Sequence, residues 1–176
     1  IIGGGIAGYC SALKCLESGL KTVLINQGHS SLHFSSGSID VLGNLPNGLE
    51  VTDPFESIAA LKKLSPEHPY SKLSVSEVQR AMLWFPTLLN QAGVSLSSSK
   101  NGHNHHRITP LGTLKPTWLS QPFVHQLIPH SSLKRFVLVS IDGFRDFQPQ
   151  LALDNLNQIE EFNKVEKKIL SVRIPG

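Results

Sequence analysis

The residues best suited to chemistry stand at the start of the chain, where Gly3 to Gly8 read "GGGIAG" between two isoleucines and a helical pattern. Gly3, Gly5 and Gly8 satisfy G-x-G-x-x-G in the setting that gives the pattern meaning, directly after a strand and directly before a helix. Gly3 permits the tight turn. Gly5 lets the backbone approach a phosphate with no side chain between, and Gly8 lets helix and strand pack closely. The free N–H groups of the helix start, with the positive end of its dipole, then attract the phosphate. A second set follows at Ser35, Ser36, Gly37 and Ser38, whose hydroxyls and backbone N–H groups suit a cofactor phosphate or ribityl chain.

The nature of the nucleotide turns on one position. A carboxylate at the end of the second strand normally holds the ribose hydroxyls of an adenosine, and here Asn26 stands there. No basic residue for a 2′-phosphate is present, so NADP has little support. An amide lacks the charge that strengthens a carboxylate–hydroxyl bond. FMN has no adenosine ribose and does not need that carboxylate, so FMN is expected, with FAD as the alternative.

Other polar groups carry less. His103, His105 and His106, with Asn101 and Asn104, read as a solvated loop, since no Cys, Asp or Glu nearby completes a metal shell; no metal site is expected. His29 and His33 bracket the serine loop and could transfer a proton beside a flavin. Arg107 and Lys115 flank "TPLGTLKPTWL" and read as solvated surface charges, and Trp118 reads as core. Cys10 and Cys15, five apart on a helix, face different ways and suit neither a disulfide nor a metal pair.

The elements that position these groups follow from hydrophobic spacing. "IAGYCSALKCLESG" has helical periodicity with Gly19 as its stop, and "LKTVLIN" is a near-continuous apolar strand, so the opening reads as a β-α-β unit. "DPFESIAALKKLS" predicts a helix. "SVSEVQRAMLWFPTLLNQAG" predicts a longer one, opened by a Ser74/Ser76–Glu77 capping signal and interrupted by Pro86. "RITPLGTLKPTWLSQPF" reads as two short extended pieces. Phe136 to Ile141 form a buried strand with Asp142-Gly143 as its turn, and "KKILSVRI" is a further strand. The expected fold is α/β: a Rossmann-like FAD/NAD(P)-type nucleotide-binding domain with a parallel sheet and an inserted mixed α+β region. Residues 1–45 form the nucleotide-binding unit, 46–132 the inserted region facing substrate or partner, and 133–176 an incomplete second β-α-β segment. The chain opens on Ile1 inside a strand and stops just after another, so it reads as truncated at both ends.

Composition limits the alternatives. Charged residues make up 16% and the net charge is +3, with Lys62, Lys63, Lys164, Lys167 and Lys168 interspersed with acids, which argues against nucleic acid as a partner. No apolar run approaches the ~20 residues of a membrane span. Few cysteines fit a reducing cytoplasm.

"GGGIAG", "HSSLHFSSGSIDVL", "HPYSKL" and "RITPLGTLKPTWLS" together resemble the N-terminal part of the B subunits of bacterial anaerobic glycerol-3-phosphate dehydrogenases. The similarity is weakest in "SLSSSKNGHNHHR" and in the last thirty or so residues. The family's chains are more than twice this length. The resemblance implies a flavoprotein complex that oxidises sn-glycerol 3-phosphate to dihydroxyacetone phosphate and passes electrons to menaquinone for fumarate or nitrate respiration. It implies two partners, a larger catalytic flavoprotein and a membrane-anchoring iron–sulfur protein. The complex would then be cytoplasmic, peripheral at the inner face of the inner membrane. The lack of a C-x-x-C motif fits a chain that carries no cluster. Gly3, Gly5, Gly8 and Ser35 to Ser38 would hold the flavin. The competing expectation is a cofactor-free structural partner of the catalytic flavoprotein, and a third is a free-standing NAD or FAD enzyme.

Overall fold

The computed structural model describes residues 1–127 and 133–174. Residues 128–132, at the end of the expected inserted region, and the last two residues lie outside the described residues. At the start, Ile2 pairs in parallel with Ile25, with Gly3 N–H donating to Ile25 O at 2.8 Å and Ile25 N–H to Ile1 O at 2.9 Å. Helix α1, Ile6–Glu17, connects the two. It ends because Gly19 takes φ +74°, which aims Gly19 N–H at Leu16 O and Leu20 N–H at Cys15 O, the paired bonds of a Schellman cap. The full strand expected over "LKTVLIN" contracts to this one bridge. A parallel pair is stable when covered on both faces, and Ile2, Val23 and Ile25 remain 90%, 69% and 59% exposed among the described residues.

Helix α2, Ile58–Leu64, forms at the expected place, and Asp53 Oδ1 accepts Phe55 and Glu56 N–H in the turn before it. Helix α3, Val75–Gln91, is the longest element. Ser74 and Glu77 exchange side-chain and backbone bonds in a capping box, as the sequence signal requires, and the helix continues through Pro86. Trp84 on α3 donates to Glu17 Oε1 at 2.8 Å, with Lys14 Nζ 4.1 Å above its ring, so one aromatic side chain ties α3 to the end of α1.

Strands β1, His105–Ile108, and β2, Leu114–Thr117, form an antiparallel hairpin that pairs Arg107 with Lys115 and His105 with Thr117. β1 corrects the reading of "HNHHR" as wholly loop. Strand β3, Arg135–Ile141, helix α4, Pro149–Leu156, and strand β4, Glu166–Val172, make a β-α-β unit with β3 and β4 parallel. Among the described residues the strands form two two-stranded sheets, rather than one broad parallel sheet.

Two apolar clusters hold these elements. One gathers Ile58, Leu61, Val78, Trp118 and Leu119, with Phe55 edge-on to Trp118, and so confirms Trp118 as core. The other centres on Leu127, Leu156 and Phe162, against which Ile108 and Leu114 of the hairpin pack. The hairpin thus packs on the second core, and the chain leaving β2 enters the first at Trp118 and Leu119.

Candidate functional site

The glycine turn has the shape its sequence demands. Gly3 takes φ +116°, a conformation that L side chains rarely adopt. A Cβ on Gly8 would stand 1.8 Å from Gly3 O, so helix and turn touch backbone to backbone. At Gly5, which caps α1, a Cβ would meet nothing within 4 Å. Among the described residues no side chain caps α1, and its first turn carries no acidic residue, so its leading N–H groups have no side-chain partner beside that open space. A phosphate fits there on geometry and charge. Gly4, an unspecified position in the motif, proves equally constrained: its Cβ would lie 2.5 Å from Asn26 Nδ2 and 2.7 Å from Asn26 Cβ. Asn26 thus sits directly over the turn, at the position of the usual ribose carboxylate.

The serine loop is built differently from its sequence reading. Ser35 Oγ accepts Gly37 N–H at 3.2 Å and Ser36 Oγ accepts Ser38 N–H at 3.4 Å. Two of the N–H groups expected to face a ligand are therefore used inside the loop, while the hydroxyl protons of Ser35 and Ser36 stay available to donate. Gly37 holds the loop's bend at φ +70°. Gln121 clamps it from across the chain, with Nε2 donating to Ser36 O at 2.8 Å. Arg107 Nη1 donates to Ser38 Oγ. Among the described residues no hydrogen bond joins the serine loop to Gly3, Gly5 or Gly8; its bonds run to Arg107 on the hairpin and to Gln121 just beyond it. Upstream, the His29 and His33 rings stand 4.9 Å apart on an exposed stretch.

Of two groups read as solvated surface charges, Lys115 is exposed but ion-paired and Arg107 is not fully solvated. Lys115 Nζ lies 2.5 Å from Asp40 Oδ2, and Arg107 is half-buried against Ser38. The reason is the hairpin register, which places both cations on the face that the 38–40 segment crosses. Among the histidines, His106 Nε2 lies 2.9 Å from Glu50 Oε1. His105 is 1% exposed, its Nε2 2.7 Å from Ser120 Oγ and its Nδ1 without a partner among the described residues. Among the described residues no three His, Cys, Asp or Glu side chains gather as metal ligands.

Burial, then the positive charge of His106 and Arg107, push the His105 pKa below the ordinary imidazole value, against a smaller opposing effect of Asp40. A folded pKa below the unfolded value of about 6.5 means that the unfolded chain binds the proton more readily. Stability is then complete above about pH 6.5 and falls on acidification until the folded pKa is passed. Denaturant titrations between about pH 7 and pH 5 are expected to show a shallower loss for His105→Leu than for the unchanged protein. Equal slopes would mean that His105 does not titrate with folding.

Residues 1–173 match the model of the FAD binding domain family, and the chain belongs to that family. Its curated relatives include the B subunit of the anaerobic glycerol-3-phosphate dehydrogenase of Vibrio vulnificus, 53% identical over 100% of this chain and 40% of the relative. They also include proteins of the same name from Aliivibrio fischeri, 52% identical over 99% of this chain and 39% of the relative, and Actinobacillus pleuropneumoniae, 41% identical over 99% of this chain and 41% of the relative. The chain spans about 40% of the length of the curated relatives it matches. No solved structure matches it. No helix among the described residues is long and apolar enough to cross a membrane.

Proposed function

We propose that this chain is the nucleotide-binding portion of a flavin-carrying B subunit in a complex that oxidises sn-glycerol 3-phosphate to dihydroxyacetone phosphate. Electrons pass by way of flavin and iron–sulfur centres to menaquinone, with a catalytic flavoprotein and a membrane-anchoring iron–sulfur protein as partners, at the cytoplasmic face of the inner membrane. The observation that carries the reading is the open space at Gly5 in front of an uncapped helix start, in a chain of the FAD binding domain family.

Gly3, Gly5 and Gly8 shape the turn, and the N–H groups leading α1 hold a phosphate there. The hydroxyls of Ser35, Ser36 and Ser38 donate to a phosphate or to ribityl oxygens. When bound, the flavin accepts the two electrons removed with the C2 hydrogen of the substrate. Asn26, lying on Gly4, offers an amide without charge, which favours FMN over FAD.

A second reading, a cofactor-free structural partner of the catalytic flavoprotein, draws on one observation. The N–H groups of Gly37 and Ser38 are satisfied within their own loop, which needs no ligand to keep its shape.

Flavin binding by the wild type and by Gly5→Ala separates the two. Gly5 has φ −84° and ψ −179°, which alanine adopts freely, and the added methyl meets only open space. Under the flavin reading that space belongs to the phosphate. The full-length variant is expected to unfold at the wild-type temperature while binding flavin at least about tenfold more weakly, or ~1.4 kcal/mol. A folded full-length wild type that binds no flavin would favour the structural partner, and unchanged affinity in the folded variant would mean that the phosphate does not occupy the space at Gly5.

A further inference from the structure

The β1–β2 hairpin opposes Arg107 and Lys115 directly, and like charges so placed repel. Only one is neutralised: Asp40 pairs with Lys115 at 2.5 Å. Among the described residues no carboxylate lies within the 4.0 Å of an ion pair from Arg107, although its side chain is half-buried. Its one hydrogen bond goes to a neutral hydroxyl, Ser38 Oγ, which leaves most of the five guanidinium donors uncommitted. That hydroxyl belongs to the loop in which Ser35 and Ser36 keep their own O–H protons free. A residual positive charge and a planar fork of donors thus meet, at Ser38, a loop whose Ser35 and Ser36 hydroxyls have protons to donate.

We propose that Arg107, with the hydroxyls of Ser35, Ser36 and Ser38, binds the phosphate of a phosphomonoester. A dianionic phosphate supplies the missing counter-charge and accepts from the guanidinium fork and from the hydroxyls together. Two molecules carry this group: a flavin mononucleotide and sn-glycerol 3-phosphate. FMN has a single phosphate, so the first would place that phosphate here in place of the space at Gly5 while keeping a flavin on this chain; both depend on the complex named above.

The test uses the full-length protein in complex with its partners, as wild type, Arg107→Gln, Arg107→Lys and Gln121→Ala. The probes are FMN against riboflavin, which differ by the phosphate alone, and inorganic phosphate as a competitor of turnover. If the cofactor phosphate sits here, Arg107→Gln weakens FMN at least about tenfold with riboflavin unchanged. If the substrate phosphate does, flavin content is unchanged, the KM for sn-glycerol 3-phosphate rises at least about tenfold, and inhibition by inorganic phosphate weakens in parallel. Arg107→Lys retains charge without the fork and is expected to recover part of either effect, which also guards against a variant that merely misfolds. Gln121→Ala releases the same loop without removing charge. The proposal is overturned if Gln121→Ala reproduces the Arg107→Gln result, since Arg107 would then only fasten the loop. It is equally overturned if the FMN-to-riboflavin ratio, KM and phosphate inhibition all stay at wild-type values. If the wild-type chain carries no flavin and Arg107→Gln still raises the KM, the flavin reading falls and the phosphate site stands.

Discussion

Gly8→Val is expected to abolish flavin binding by the full-length protein and to lower its stability by more than about 4 kcal/mol, the range reached only by severe overpacking or strain. The obstacle is backbone, not side chain. A Cβ at this position would stand 1.8 Å from Gly3 O and 2.9 Å from Gly3 C, so no rotamer change relieves it. Either α1 moves away from the turn or the turn gives up the Gly3 N–H bond to Ile25 O. Both routes destroy the alignment of the α1 N–H groups on which a phosphate depends. Paired measurements of bound flavin and of denaturant midpoint check it. A variant that folds and binds as wild type would show that the turn is not packed as described. The contrast with Gly5→Ala, where a methyl meets only open space, makes the pair diagnostic: a loss at Gly8 reports packing, and a loss of binding alone at Gly5 would report a ligand.

Gly112→Val is expected to cost roughly 2–5 kcal/mol, combining ~1–2 for a side chain in the left-handed region with ~1–3 for overpacking. Gly112 takes φ +75° at the tip of the β1–β2 hairpin, and its Cβ would lie 2.1 Å from Ala152 O on α4. The tip is otherwise well made: Gly112 N–H donates to Thr109 O, and Asn155 Nδ2 on α4 donates to Leu111 O at 2.7 Å. A valine there must pry hairpin from helix and disturb the packing of Ile108 and Leu114 on Leu156. Chemical denaturation of the full-length variant reads the effect. A change within about 0.5 kcal/mol, the usual range for surface substitutions, would mean that the hairpin and α4 do not meet as described.

Local signals were legible in the sequence, and long-range ones were not. The glycine turn, the Gly19 stop and the Ser74–Glu77 capping box each depend on residues a few positions apart, and each has the structure its spacing implies. β3 declared itself through a run of β-branched and aromatic residues. β1 did not, because "HHRI" has a polar composition and becomes a strand only by pairing with Leu114–Thr117. The burial of His105 likewise depends on Thr117 and Ser120 and has no signature in its own neighbourhood. Arg107 reaches Ser38 across 69 positions, so the link between a cation and the serine loop could not be read from either segment. The strand expected at "LKTVLIN" illustrates the opposite case. Its apolar pattern is correct for a parallel strand covered on both faces, yet among the described residues it is paired only at Ile25 and its apolar side chains stay exposed.

Whether the glycine turn of this chain holds a flavin is tested most directly on the full-length protein purified by itself. The flavin bound per chain is released by acid and identified chromatographically. One FMN per chain is the predicted result. A folded protein that carries no flavin, and takes up none from added FMN or FAD, would contradict it.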